Sequence, residues 1–165
     1  MPASTSLQSI ENFLAQKRFA MIGLSRDPKH FSAMLFQEFL RRGYDVVPVN
    51  PNSSEILGRP CFTHVQDIQP AVEAALLMTS PDVTEAVVPD CVAAGIRQIW
   101  MYGINGKGAV NSQSVAFCKQ HGIDVIPGEC PFMFFSKNGF HRLHTLWNKL
   151  TGAYPRRRPC IGQPA

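Results

Sequence analysis

Phe19-Ala20-Met21-Ile22-Gly23-Leu24 is a short apolar run that stops at a glycine, and Ser25-Arg26-Asp27-Pro28-Lys29-His30 behind it is a polar loop. An apolar run of this length bounded by turn residues predicts a strand buried on both faces. Phe31, Met34, Leu35, Phe39 and Leu40 then recur at spacings of three and four, which predicts a helix ending at Arg42-Gly43. Gly43 suits the left-handed cap that closes a helix. Tyr44–Val49, rich in Val, predicts a second strand. Strand, loop, helix and strand in this order form the first half-turn of a parallel sheet.

The pattern continues on both sides. Leu7, Ile10, Phe13 and Leu14 predict a short helix over residues 6–16. After the second strand comes the loop Asn50-Pro51-Asn52-Ser53-Ser54. Ile56–Pro70 is irregular, with a turn at Gly58-Arg59-Pro60 and one helical turn near Val65–Ile68. Ala74–Thr79 predicts a third strand. Pro81–Ala94 predicts a helix with its proline in the first turn, closed by Gly95. Gln98–Tyr102 is a fourth strand, Asn111–Gln120 a helix closed by His121-Gly122, Ile123–Ile126 a fifth strand, and a last helix runs from about Gly139 to Leu150. The strands are apolar throughout rather than alternating. The expected fold is therefore α/β, a doubly wound, mostly parallel five-stranded sheet with helices on both faces. Residues 1–150 form one domain in this reading, and 151–165 a basic, flexible tail.

Composition agrees. The chain has 165 residues, 45% hydrophobic and 17% charged, which gives material for one core and too little charge for a disordered chain. No apolar run approaches the roughly 20 residues of a membrane span. No basic segment precedes an apolar stretch at the N-terminus, so an export signal is not expected. The net charge is +4, and Arg156, Arg157 and Arg158 in the tail supply three of the positives. The body is thus nearly neutral, unlike the basic face of a nucleic-acid binder. Five cysteines (Cys61, Cys91, Cys118, Cys130 and Cys160) are odd in number and form no CxxC pair. They read as reduced thiols of a cytoplasmic protein. Cys118-x-x-His121 and His141-x-x-His144 have helix-compatible spacing for metal ligands, but neither has a second pair, and no metal site is assigned.

Ligands of an open parallel sheet bind outside the carboxyl ends of the strands, near the reversal of strand order. After the first strand these residues are Gly23, Ser25, Arg26 and Lys29. The glycine allows close approach, the serine offers a hydroxyl, the two cations offer charge, and the next helix offers free N–H groups suited to a phosphate. Gly23-Leu24-Ser25-Arg26-Asp27-Pro28 has only the first glycine of G-x-G-x-x-G. The end of the second strand, Val49-Asn50-Pro51, lacks the acid that holds a dinucleotide ribose. Both facts speak against NAD. Gly-x-Ser-x-Gly and G-x-x-x-x-G-K-[ST] are absent as well. Glu129 stands beside Cys130, but the sequence places no histidine with them, and no catalytic residue is assigned.

These loops resemble a known family. Ala20–Ser25 with Ser32, Gly43-Tyr44-Asp45-Val46-Val47-Pro48-Val49-Asn50-Pro51-Asn52, Ile56-Leu57-Gly58-Arg59-Pro60-Cys61-Phe62, Ala94–Met101, and Gly122–Ile126 before Cys130 are similar to the stand-alone CoA-binding domain proteins. Those are Rossmann-like proteins related to the amino-terminal domain of the succinyl-CoA synthetase alpha subunit. The resemblance covers residues 17–131. It implies coenzyme A or an acyl-CoA as ligand. Gly23, Ser25, Arg26, Lys29 and Ser32 would surround the phosphates, and Asn50 and Pro51 would lie by the adenosine. Thr79, Ser80, Tyr102 and Gly103 would line the pantetheine side, with Cys130 near the thiol end. Cys130 has a second reading, a small buried residue closing the last strand. Two departures stand out. Trp100-Met101-Tyr102-Gly103-Ile104 replaces a longer glutamine-containing segment, and Gly128-Glu129-Cys130-Pro131 is closer to the synthetase ending than to the basic-Cys ending of the short proteins. The synthetase's phosphorylated histidine belongs to a domain this chain does not share, so ligase chemistry is not implied.

Three functions compete. The first is non-catalytic binding of CoA or an acyl-CoA. The second is a small NADP- or other nucleotide-dependent oxidoreductase, with Arg26 serving the 2′-phosphate in the NADP case. The third is an interaction protein with a degenerate nucleotide site, docking a partner or a second copy through the tail and the segment Phe132–Phe135.

Overall fold

The computed structural model describes residues 6–105 and 107–135. The expected last helix from Gly139 to Leu150, the pair His141-x-x-His144, Cys160 and the basic tail lie outside the described residues. Helix α1 (Leu7–Ala15) leads into β1 (Arg18–Ile22), α2 (Phe31–Arg41) and β2 (Asp45–Val49). Then follow β3 (Glu55–Ile56), β4 (Arg59–Pro60), a 3₁₀ turn at Val65–Asp67 and β5 (Ala74–Leu77). Helix α3 (Pro81–Ala93), β6 (Gln98–Ile104), β7 (Lys107–Gly108), α4 (Ser112–Gln120), β8 (Asp124–Glu129) and a 3₁₀ turn at Pro131–Phe134 complete it.

Five strands pair in parallel in the spatial order β2-β1-β5-β6-β8. Numbered among the parallel strands alone, this is 2-1-3-4-5, a doubly wound order with its reversal between β1 and β5. The expected fold class holds. The sheet also has a sixth strand that the expected count lacks: β7 turns back antiparallel onto the end of β6. It is two residues long, too short for a periodic signal. The irregular stretch after β2 holds a small antiparallel ladder, β3 with β4. Leu57 and Gly58, between them, both have positive φ, 50° and 77°, as a tight two-residue hairpin turn requires.

Alternation along each strand sorts the core into two layers. Phe19 and Met21, Ala74 and Leu76, Trp100 and Ile126 face α1 and α2. Ala20 and Ile22, Ala75 and Leu77, Ile99 and Met101 face α3 and α4. Both faces are covered, so the strands carry no polar face. The first layer is an aromatic chain. Phe13 meets Phe19 at 5.0 Å and Trp100 at 5.2 Å between ring centres, and Phe19 meets Phe39 at 4.9 Å. Phe39 meets Tyr44 at 5.1 Å and Phe135 at 4.8 Å. Edge-to-face pairs at these separations add to the burial of each ring.

β2 is the outer strand of the sheet, paired with β1 along its length. Phe62 meets its other side at Val49 and donates its N–H to the Pro48 carbonyl. The N–H that Pro48 lacks would point to that outer side and not into the β1 ladder, which is why Pro48 is tolerated. Asp45 at its start is held by Arg18 Nε and Arg59 Nη1, each at 2.9 Å. Among the described residues no helix is long and apolar enough to cross a membrane.

Phe19 is fully buried and central to the aromatic chain. Phe19→Ala is expected to cost about 3–5 kcal/mol. Urea unfolding checks this: the midpoint falls while the denaturant slope stays unchanged.

Candidate functional site

All the loops expected to carry the ligand leave the carboxyl ends of parallel strands, along one edge of the sheet. Gly23 follows β1 with φ 85°. A Cβ placed on it would lie 2.8 Å from Thr79 Cγ2 and 2.9 Å from the Met78 carbonyl carbon and oxygen. The close approach that demands a glycine is thus made to the chain after β5. The loop after β1 turns toward α2 on one face and the loop after β5 toward α3 on the other. Gly23 lets the two backbones touch where they part.

Beyond Gly23 the chain ties itself to the start of α2. The Ser25 N–H donates to Ser32 Oγ at 3.0 Å, and Ser25 Oγ accepts from the Asp27 N–H at 3.1 Å. His30, the N-cap of α2, accepts the Ser32 N–H on Nδ1 at 3.2 Å, and Ser32 Oγ lies 2.8 Å from the same nitrogen. A nitrogen that accepts from a backbone N–H carries no proton, so the Ser32 hydroxyl donates to it. Ser32 is fully buried. Arg26 and Lys29 are exposed above this knot. The expected phosphate residues are therefore together, with Ser32 supporting the loop from inside. His30 is the member the sequence reading omits. Its only signal is its place before the apolar-periodic run, since histidine is not among the favoured N-caps.

Asn50, after β2, donates from Nδ2 to the Leu24 carbonyl at 3.2 Å and accepts the Asn52 N–H on Oδ1 at 2.9 Å. It latches the second loop to the first, and Pro51 beside it is exposed. Thr79 and Thr84 share a hydrogen bond at 2.6 Å, and Ser80 is the exposed N-cap of α3. Tyr102 is half-buried, its ring 5.2 Å from Phe31 at the start of α2, which in turn lies 5.6 Å from Phe132. These three rings join the first strand loop to the far end of the sheet. Gly103, by contrast, is buried. A Cβ there would stand 2.9 Å from Gly128 Cα and 3.2 Å from the Lys107 carbonyl, so it packs β6 against its neighbours.

Cys130 is 3% exposed, and burial pushes its thiol up to about 11. An exposed, partly ionised thiol is what exchange with CoA requires. The position fits the reading of a small residue closing the last strand. Cys61, Cys91 and Cys118 are likewise free thiols. Cys118 is buried, and His121 stacks on Phe117 at 4.1 Å. Glu129, half-buried at the end of β8, carries a carboxyl that burial pushes up to about 7. A cleft of about 260 Å³ lies away from these loops, between α3 and α4, lined by Glu85, Val88, Pro89, Gln113, Ser114 and Phe117.

Residues 17–135 match the CoA binding domain family. The chain belongs to that family. Membership supports the binding of coenzyme A in general. A curated relative is the uncharacterized protein YneT of Bacillus subtilis (strain 168), 25% identical over 114 residues, spanning 69% of this chain and 82% of that protein. Among solved structures, a hypothetical protein from Pyrococcus horikoshii OT3 superposes with a TM-score of 0.70 at 26% identity, over 79% of this chain and 94% of that one. The dinucleotide-forming acetyl-coenzyme A synthetase 1 of Ca. Korarchaeum cryptofilum, in complex with phosphate and ADP, shares the fold with a TM-score of 0.59 at 24% identity. That match spans 68% of this chain and 25% of the synthetase.

Two outcomes follow from the site geometry. Gly43 has φ 83° with nothing near its missing Cβ, whereas Gly23 has φ 85° and is crowded. Gly43→Ala should cost about 1–2 kcal/mol, the strain of a left-handed residue alone, and Gly23→Ala clearly more, as read by urea unfolding. Glu129 is the second case. Folded, it keeps its proton up to about pH 7, whereas its ordinary value is 4.5. The folded state therefore binds more protons across that window, and stability falls as pH rises through it. Glu129→Gln should remove that fall, measured as the difference in unfolding free energy between the two proteins at about pH 5 and about pH 8.

Proposed function

We propose that this chain binds coenzyme A, free or as an acyl-CoA, across the carboxyl edge of the sheet and performs no reaction on it. The observation that carries the reading is the knot after β1. Ser25, His30 and Ser32 fix the loop at the reversal of strand order before any ligand arrives. The first turn of α2 offers main-chain N–H groups with no intrahelical partner, and the helix dipole favours an anion there. Arg26 and Lys29 stand free above it for the remaining phosphate charge. Asn50 and Pro51 border the adenosine side. Thr79, Ser80 and Tyr102 lie along the path toward β8, and Gly103 supports that path by packing.

The absence of a reaction is supported by how the reactive groups are used. Ser32 and His30 form a hydroxyl–imidazole pair that resembles a nucleophile and its base, but the hydroxyl is fully buried and accepts the Ser25 N–H. Its task is to hold the loop. The Cys130 thiol is buried and holds its proton. The ligand is a small molecule in this reading, and no partner protein is required.

Calorimetry with the full chain tests the proposal. CoA is expected to bind, and dephospho-CoA to bind more weakly, because Arg26 or Lys29 loses a charge-assisted contact. Arg26→Ala and Lys29→Ala should narrow that gap. A thermal-shift series of CoA, acetyl-CoA, NADPH and ATP sets the ligand class, since binding to the folded state raises the melting temperature. A larger shift with NADPH than with CoA would overturn the proposal in favour of an oxidoreductase. No shift with any of the four would leave a protein whose nucleotide site is degenerate.

A further inference from the structure

Glu129 is the last residue of β8, and after a bulge its register partner on β6 is Tyr102. Its main chain is pinned, with Trp100 Nε1 donating to the Glu129 carbonyl at 2.9 Å. Gly128, just before it, has φ 87°, so the chain bends as it leaves the sheet. The Glu129 side chain is half-buried, and among the described residues no hydrogen bond or ion pair reaches its carboxyl. The titratable groups beside it are Tyr102 across the strand and Cys130 next in the chain; burial pushes the pKa of each up. Helices α1 and α4 also pack on β8. Their charged residues include Glu11 and Lys119, and β7 carries Lys107. None of these contributes to the Glu129 titration, which burial alone raises.

A half-buried carboxyl without a partner is costly to keep, and it stands at the edge where the ligand lies. From β1 across β5 and β6 to β8 is three strand spacings, about 14 Å. The rings of Phe31, Tyr102 and Phe132 line that interval. A pantetheine arm leaving a pyrophosphate at the start of α2 and crossing these rings brings its sulfur end to β8. A thioester carbonyl only accepts hydrogen bonds, and a thiol is a weak donor. A protonated carboxyl donates one hydrogen bond, and a carboxylate only accepts.

We propose that Glu129 receives the sulfur end of the ligand and that its proton selects the form bound, the protonated carboxyl favouring an acyl-CoA and the carboxylate favouring free CoA. The inference rests on the CoA reading above and adds to it a specificity-determining residue. Its closeness to neutrality makes the choice responsive to pH.

The test compares the affinities of CoA and acetyl-CoA for the full chain at about pH 6 and about pH 8, by calorimetry, in wild type and Glu129→Gln. The preference for acetyl-CoA over CoA is expected to be roughly three- to tenfold greater at the lower pH, the worth of one hydrogen bond. Titrations common to both ligands, such as that of the 3′-phosphate, cancel in the ratio. Glu129→Gln, whose amide both donates and accepts at every pH, should give a ratio that does not change with pH. The wild-type ratio is informative even if the variant folds poorly. A wild-type ratio equal at both pH values, or an unchanged swing in Glu129→Gln, would overturn the role of Glu129 while leaving CoA binding intact. Failure of both ligands to bind at either pH would overturn the CoA reading itself, and this inference with it.

Discussion

The backbone of Gly23 rests on the Met78 carbonyl and the Thr79 methyl group, and the site is organised around that contact. The chain after β1 must turn one way and the chain after β5 the other, because α2 and α3 cover opposite faces of the sheet. The crevice that results is the natural ligand site of a doubly wound fold. Its floor is only as deep as the two backbones allow. A Cβ at residue 23 would force them apart and would also demand a conformation that a side chain resists. Gly23 is thus first a glycine that lets the protein close.

From that contact the structure hardens in two directions. Toward β2, Asn50 reaches back to the Leu24 carbonyl and fixes the second loop to the first. Toward α2, the serine–histidine–serine knot satisfies the Ser25 N–H of the loop and the Ser32 N–H that the helix start leaves open. Below, Phe36 and Phe39 of α2 are fully buried, and the ring of Phe39 meets Phe19, so the helix cannot shift without disturbing β1. A loop held by both hydrogen bonds and core rings is already in place when an anion meets it. Such preorganisation reduces the ordering cost of binding.

The far end of the edge is built differently. Backbones crowd there, with Gly103 and Gly108 leaving no room for side chains between β6, β7 and β8. Trp100 holds the last strand by its indole N–H. Burial then raises the proton affinity of Tyr102, Glu129 and Cys130 in this corner. Arg26 and Lys29 stand exposed at one end of the edge, and the groups that burial protonates more firmly stand at the other.

The sequence by itself determined the layers. Strands apolar throughout imply two covered faces, and Phe19, Val46, Leu76 and Trp100 lie in the apolar runs read as strands, whereas the layer each one joins was seen only in the structure. The loops after β1 and β2 were legible for the same reason, since a turn glycine, a hydroxyl and two cations before a helix are local signals. Only the tertiary structure decided which of those residues stand exposed at the edge of the sheet and which hold the fold. Ser32 is turned inward onto Ser25 and His30 of its own loop, and Asn50 and Gly103 meet partners distant in the chain. Cys130 is enclosed, and Phe31 meets Tyr102 only because β6 lies beside β5 and α2 covers them. Glu129 gained its altered proton affinity from burial at the end of β8. Burial, cross-strand register and close backbone approach are properties of pairs of segments far apart in the chain. No window of sequence contains both members of such a pair.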